Sequence, residues 1–344
     1  MSLPSPPMPR TAPEFPPFRS RPPWWGGDLQ TLRNTLAARR GGARSSRAAP
    51  GERLWVDLDD DTGDALAVSL ERPEAPRPGV PWLLLVHGLG GDEGSAYVAQ
   101  TAARVLARGH TVLRLNLRGA GPSRERCRFQ YHAGRTPDLE AALARLVARL
   151  PELAEVGAVL VGYSLGGNLV LKWAGEGARG RGVRGVAAVS APIDLAEAAH
   201  RFMSPRNRFY HWHMMRRLRR EATAPGAEID DRERQVVRAA RSLYDFDDRF
   251  VAPRAGFASA DDYYAGCSAL PGLPRIEIPA LAMHAADDPW IPPRPYQDGL
   301  RRGLWPDNVR VVVASGGGHV GFHAAGGSTW HDDCLVRWLD ALPR

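Results

Sequence analysis

The sequence predicts an α/β fold built on a mostly parallel, doubly wound sheet, and three observations carry that expectation. Continuous apolar runs at Trp82 to Val86, Val159 to Val161, Val183 to Val189, Leu281 to His284 and Val309 to Val313 read as strands buried on both faces. Helically spaced stretches separate most of them, and such alternation implies parallel crossovers. Between one run and the next helix stands Gly162-Tyr163-Ser164-Leu165-Gly166-Gly167-Asn168, a sharp turn carrying one serine.

Bulk properties agree. The chain has 344 residues, 44% of them hydrophobic and 24% charged, which is ample for a core. No apolar run approaches the ~20 residues of a membrane span. The proline-rich first 23 residues contain no apolar stretch of a secretory signal peptide. Cys127, Cys267 and Cys334 are scattered and odd in number, so neither a disulfide framework nor a metal knuckle is expected, and a reducing, cytoplasmic setting is. The net charge of +7 and pI near 9.7 invite a nucleic-acid reading. Lys172 is the only lysine, however, and the arginines are spread along the whole chain with no nucleic-acid motif. Coding bias accounts for that pattern, and no nucleic-acid partner is expected.

In chain order, residues 1–50 read as a Pro/Arg-rich arm, mobile or loosely docked over 1–23, followed by Trp24 to Leu32 and then an arginine- and glycine-rich linker to Pro50. Trp24 and Trp25 are costly in water and are expected to dock that arm on the main domain. Leu54 to Leu58 and Ala65 to Leu70 alternate in polarity across Asp59-Asp60-Asp61-Thr62-Gly63-Asp64, as an antiparallel hairpin does. Thr136-Pro137-Asp138 predicts a helix start capped by the threonine, with an apolar stripe through Leu139, Leu143 and Leu146. Residues 194–278 break the alternation and carry helical candidates at Pro205 to Glu221 and Asp230 to Leu243. They are too long for a structureless loop and read as a helical cap, with the core at 51–193 and 279–344.

The strand–turn–helix around Ser164 is the context a nucleophile elbow requires. A serine hydroxyl needs a base, and the base needs an orienting acid, in the order serine, acid, histidine in an α/β-hydrolase fold. Ala285-Ala286-Asp287-Asp288-Pro289-Trp290-Ile291-Pro292 follows a predicted strand, and Asp288, with a proline four residues on, is preferred as the acid over Asp287. Asp287 is expected to bond nearby backbone. His319, in the glycine-rich loop after the last predicted strand, is the base. His323, His331, His284, His211 and His213 are weaker candidates, and His87 reads as structural. Backbone N–H groups of Leu89 and Leu165 are the expected oxyanion donors. This mechanism needs no metal and no cofactor.

Several motifs together resemble the YheT-type family of α/β-hydrolases, family four of that superfamily. They are Leu29-Gln30-Thr31, His87-Gly88-Leu89-Gly90-Gly91 with Ser95 and Tyr97, Arg118-Gly119-Ala120-Gly121, Tyr131-His132-Ala133-Gly134, the elbow, Tyr244-Asp245-Phe246-Asp247-Asp248, and Gly317-Gly318-His319-Val320-Gly321-Phe322. They span nearly the whole chain. The family's Asn-Pro-His before Leu-Gln-Thr is replaced here by Gly26-Gly27-Asp28. The resemblance implies hydrolysis of carboxylic esters, short- to medium-chain or lipid, with acyl transfer to an alcohol as the alternative outcome. A lipid-binding protein with an incidental site is the competing class. Its support is Phe209 to Arg220, where aromatics and methionines sit beside arginines and suggest peripheral membrane contact. No obligatory protein partner is inferred.

Overall fold

The computed structural model of the chain describes residues 13–40, 51–177 and 182–343. Eight strands form one sheet: β1 (Glu52–Asp57), β2 (Ala65–Glu71), β3 (Trp82–Val86), β4 (Val112–Leu115), β5 (Ala158–Tyr163), β6 (Val183–Val189), β7 (Ala280–Ala285) and β8 (Val309–Ala314). Their spatial order is β1-β2-β4-β3-β5-β6-β7-β8. The hairpin β1–β2 and the β2–β4 pair are antiparallel, and every later pairing is parallel.

The pleat explains the unbroken apolar runs. Leu84, Val86 and Leu160 point into one core, while Leu83, Leu85, Val159 and Val161 point into a second on the opposite face. Both cores are roofed by helices. The flanking elements are α1 (Gly26–Arg40), α2 (Ala96–Leu106), α3 (Thr136–Arg149), α4 (Pro151–Val156) and α5 (Leu165–Gly175). Between β6 and β7 lie α6 (Leu195–Phe202), α7 (Arg208–Ala222), α8 (Asp231–Ala239), α9 (Leu243–Phe246), α10 (Ala252–Arg254) and α11 (Ala260–Cys267), with a π-helical run at Asp247–Val251. The chain ends with α12 (Arg294–Arg301) and α13 (Trp330–Ala341). The segment between β6 and β7 has its own small core of Met215, Leu218, Val237, Phe246 and Phe250 beside the sheet. Among the described residues, no helix is long and apolar enough to cross a membrane.

Three local expectations are corrected. The stretch read as a linker after Leu32 is helical up to Arg40, as the second half of α1, and residues 41–50 lie outside the described set. Residues 1–12 of the arm also lie outside it, but 13–23 are docked: Phe15 and Phe18 pack on the second core, the Trp330 indole donates to the Pro16 carbonyl at 2.6 Å, and Ser20 bridges Ala324. Of the tryptophan pair only Trp24 is half-buried, with the Arg33 guanidinium 5.6 Å from its ring, whereas Trp25 is 61% exposed. Finally, Thr136 lies within α3 and does not cap it, since Arg135 occupies the flanking position without a side-chain cap. The Asp138 carboxylate in that first turn is taken up by the buried Arg118 guanidinium instead.

Candidate active site

Ser164 stands between β5 and α5 in a conformation that L-residues rarely adopt, φ +50° and ψ −121°. The strain is held by crowding that only glycine tolerates. A Cβ at Gly162 would lie 2.2 Å from the Gly166 carbonyl oxygen, and one at Gly166 would lie 2.4 Å from that of His87. The Ser164 N–H donates to the Val189 carbonyl at 2.8 Å, which fixes the turn on β6.

The hydroxyl of Ser164 lies 2.9 Å from His319 Nε2, and His319 Nδ1 lies 2.8 Å from Asp288 Oδ2. The other oxygen of Asp288 accepts from the N–H groups of Trp290 (2.8 Å) and Ile291 (3.0 Å). Burial alone would raise the Asp288 pKa, but the adjacent His319 and these bonds outweigh it and hold the carboxyl below the usual range. The Trp290 ring covers the imidazole with centroids 4.4 Å apart. Asp287, the competing acid, turns away from the imidazole and accepts from the Gly318 N–H at 2.8 Å. Burial and the neighbouring Asp288 raise its pKa.

The remaining histidines have other partners. His284 stacks on Tyr296 at 4.5 Å, His211 accepts from the Leu243 N–H, and His323 faces Arg33. His331 is buried against Tyr163 and Phe322, and His213 lies on the cavity wall. His87 is fully buried, with Nδ1 on the Gly88 carbonyl (2.8 Å) and Nε2 accepting from the Leu117 N–H (3.1 Å). Burial pushes its pKa down to about 4, so it stays neutral as a loop support.

The loop after β3 is fastened on either side of Leu89. The Gly88 N–H donates to the Tyr97 hydroxyl at 3.0 Å and the Gly90 N–H to the Tyr131 hydroxyl at 2.6 Å. Leu165 is the first residue of α5, so its N–H has no partner within the helix. Leu89 and Leu165 both border the cavity beside Ser164 and His319. Among the described residues, no cluster of three or more His, Cys, Asp or Glu is arranged to hold a metal.

Sequence reasoning missed the clamp that α1 places on the histidine loop. The Thr31 hydroxyl accepts from the His319 N–H (2.8 Å), Gln30 Oε1 accepts from the His323 N–H (2.7 Å), and Asn34 donates to the Val320 carbonyl (3.0 Å). The one signal for it in the sequence was the Leu29-Gln30-Thr31 motif. The resulting cavity measures about 310 Å³, and its wall is shared by α1, the loop after β3, the elbow and the helices between β6 and β7.

Comparison with known proteins agrees with this architecture. The family model described as "alpha/beta hydrolase fold" matches residues 81–325. The protein YheT of Escherichia coli (strain K12) is 30% identical over 294 residues, covering 83% of this chain and 82% of that protein. A monoacylglycerol lipase of Saccharomyces cerevisiae is 26% identical over 269 residues, covering 75% of this chain but only 59% of the lipase. In fold, the chain is similar to the solved esterase Pf2001 of Pyrococcus furiosus, with TM-score 0.58 at 14% identity over 85% of this chain and 92% of that one. With a family model matching most of its length and a relative aligned along four-fifths of both sequences, this chain belongs to the α/β-hydrolase family, in its YheT-type branch.

Proposed function

We propose that this chain, a carboxylic ester hydrolase, cleaves short- to medium-chain or lipid esters in two steps through an acyl-enzyme on Ser164. The observation that carries the mechanism is the continuous chain of contacts Ser164 Oγ, His319 Nε2, His319 Nδ1, Asp288 Oδ2, each within hydrogen-bond reach, at the wall of a largely apolar cavity. His319 Nε2 takes the Ser164 proton as Oγ bonds to the ester carbonyl carbon, and Asp288 stabilises the imidazolium. The oxyanion is bonded by the N–H groups of Leu89 and Leu165. Collapse breaks the C–O bond, and His319 returns the proton to the departing alcohol. Water, deprotonated by the same imidazole, then releases the acid and restores Ser164.

Residues 194–278 act as a cap in this reading, which is supported by the side chains they contribute to the cavity lining, Phe202, Met214, Leu218 and Phe246 among them. The outward face of α7 is read as the part that meets a lipid interface. Phe209 is 67% and Trp212 53% exposed there, and the Arg216 guanidinium lies 4.8 Å from the Trp212 ring. Sedimentation with anionic vesicles that Phe209→Ser and Trp212→Ser do not weaken would remove that assignment.

The deciding experiment is hydrolysis of p-nitrophenyl esters from acetyl to palmitoyl, with Ser164→Ala as control. Turnover abolished in the variant and labelling of Ser164 by a serine-reactive phosphonate are expected. Equal turnover by both proteins, or an unlabelled wild type, would overturn the mechanism. An added alcohol that captures most of the acyl group as a new ester would make acyl transfer the main reaction.

A further inference from the structure

The motif Tyr244-Asp245-Phe246-Asp247-Asp248 puts three carboxylates on one short stretch, and the fold uses them differently. Asp245 accepts from the Arg241 N–H and Asp248 from the Ala260 N–H, so both hold local backbone. Asp247 opens the π-helical run, a distortion frequent at functional sites, and its side chain turns to the cavity that holds Ser164 and His319. It is only 9% exposed. Its Oδ2 accepts from the Tyr264 hydroxyl at 2.7 Å, and among the described residues no other group bonds this carboxyl. Asp288, by contrast, has His319 and two backbone N–H donors. Burial without such support pushes Asp247 up to about 7.

Leu165, Leu218, Leu243, Phe246 and Val251 give the same cavity a largely apolar lining, in which His132, Arg217, Glu221 and Tyr263 are further polar groups. A buried acid with unused hydrogen-bonding capacity at a largely apolar cavity is costly unless an occupant satisfies it. A carboxyl near its titration point both donates and accepts, which matches a neutral hydroxyl. A substrate carboxylate or phosphate would meet a like charge whenever Asp247 ionises.

We propose that Asp247, held by Tyr264, is a specificity residue that hydrogen-bonds a hydroxyl carried by the ester substrate away from its scissile carbonyl. The substrate class is therefore a hydroxylated ester, with the rest of the molecule in the apolar part of the cavity. This rests on the ester-hydrolase reading of Ser164.

The test compares kcat/KM for matched pairs of esters. One series is p-nitrophenyl butanoate to decanoate with and without a terminal hydroxyl on the acyl chain. The other is hexanoyl esters of alcohols with and without a second, terminal hydroxyl. At the best-fitting length in one series, the wild type should favour the hydroxylated member by about tenfold or more. Asp247→Leu should bring that ratio close to one while leaving the plain ester within a few-fold of wild type. Asp247→Asn, which keeps a donor and an acceptor, should retain most of the preference.

A purely structural Asp247 would lower both members together and leave the ratio unchanged, which overturns the proposal. So does a wild type without preference in either series, whatever the variants do, and so does a stronger preference for an amine-tipped ester. Absence of turnover with every ester, together with no phosphonate labelling at Ser164, would instead mark failure of the ester-hydrolase reading and remove the basis of this one.

Discussion

The backbone N–H of His319 donates to the hydroxyl of Thr31 at 2.8 Å, across 288 residues of chain. Thr31 in turn donates to the Gly27 carbonyl at 2.7 Å, so the acceptor is oriented by the first turn of its own helix. The loop that carries the base is thereby fixed to α1. Thr31→Val keeps the shape and removes the acceptor, leaving a buried N–H unpaired at a cost of about 1–3 kcal/mol. We expect kcat to fall about tenfold with KM nearly unchanged, and Thr31→Ser to restore it. Steady-state kinetics on p-nitrophenyl butanoate decide this: a change in KM alone would reduce Thr31 to a wall of the cavity.

The two adjacent aspartates should separate by orders of magnitude. Asp288 meets the imidazole at 2.8 Å, whereas Asp287 accepts from loop backbone, the Gly318 N–H among it. Asp288→Asn presents the wrong hydrogen-bond pattern to His319 and should lower kcat on the order of 10³- to 10⁴-fold. In Asp287→Asn the amide oxygen can still accept from Gly318, so a loss of less than about tenfold is expected. Equal losses in the two variants would mean that both carboxylates act on the imidazole.

The strands, the elbow and the Asp288 and His319 loops were legible because each rests on a local rule. A strand buried on both faces is apolar throughout, and a nucleophile elbow needs small residues two positions either side of Ser164. The part of the site built by long-range contacts was not legible. The Leu29-Gln30-Thr31 motif marks the segment but does not announce that Gln30 and Thr31 bond a loop near the other end of the chain, and the arginines and glycines after Leu32 read as a linker. The cap expected at Thr136 failed for a related reason. Asp138 belongs to an ion cluster drawn from the β1–β2 loop and the segment after β4, and sequence spacing cannot show that. Which acid of the Tyr244 to Asp248 motif faces inward is set by the π-helical register, so Asp247 became distinguishable only in the fold.

That ion cluster yields a stability prediction. Arg118 is fully buried and grips Asp138 through Nε (2.9 Å) and Nη2 (2.8 Å), Asp64 through Nη1 (3.0 Å) and Asp60 through Nη2 (2.5 Å). Removing it strands buried negative charge, so Arg118→Met should destabilise by about 3–5 kcal/mol. Lysine lacks the planar fork that reaches several carboxylates at once and should rescue little. Asp60 is the most exposed of the three, its side chain 34% accessible, and Asp60→Asn should cost less than about 1 kcal/mol. Urea unfolding of the three variants would check the ranking. An Arg118→Met protein as stable as wild type would mean that the cluster is compensated by its own desolvation cost.

Acid should destabilise the fold well above the range where carboxylates usually titrate. Burial pushes the pKa of His87 and His284 down to about 4 and that of His132 and His323 down to about 3. In the unfolded chain each takes a proton near pH 6.5, and the folded chain refuses it until its own lower value is reached. Between those limits the unfolded state binds more protons, so stability falls as pH falls, by about 1.4 kcal/mol per pH unit for each net proton. Asp247 acts in the opposite sense. Raised to about 7, it is protonated in the fold and ionised in the unfolded chain from there down to the ordinary carboxylate range, so acid favours the fold through this one group. Asp288, held low, loses its contribution only below the ordinary carboxylate range. Burial also lowers His110, His211 and His331, and it raises Glu221, Asp287 and Asp332 as it does Asp247, so the lowered histidines outnumber the raised carboxyls and the net result is loss of stability. Urea midpoints should therefore drop steadily from pH 7 to pH 5. A midpoint that held or rose would mean that these histidines open to solvent at little cost. Asp247→Asn, which removes one of the opposing groups, should make the drop steeper.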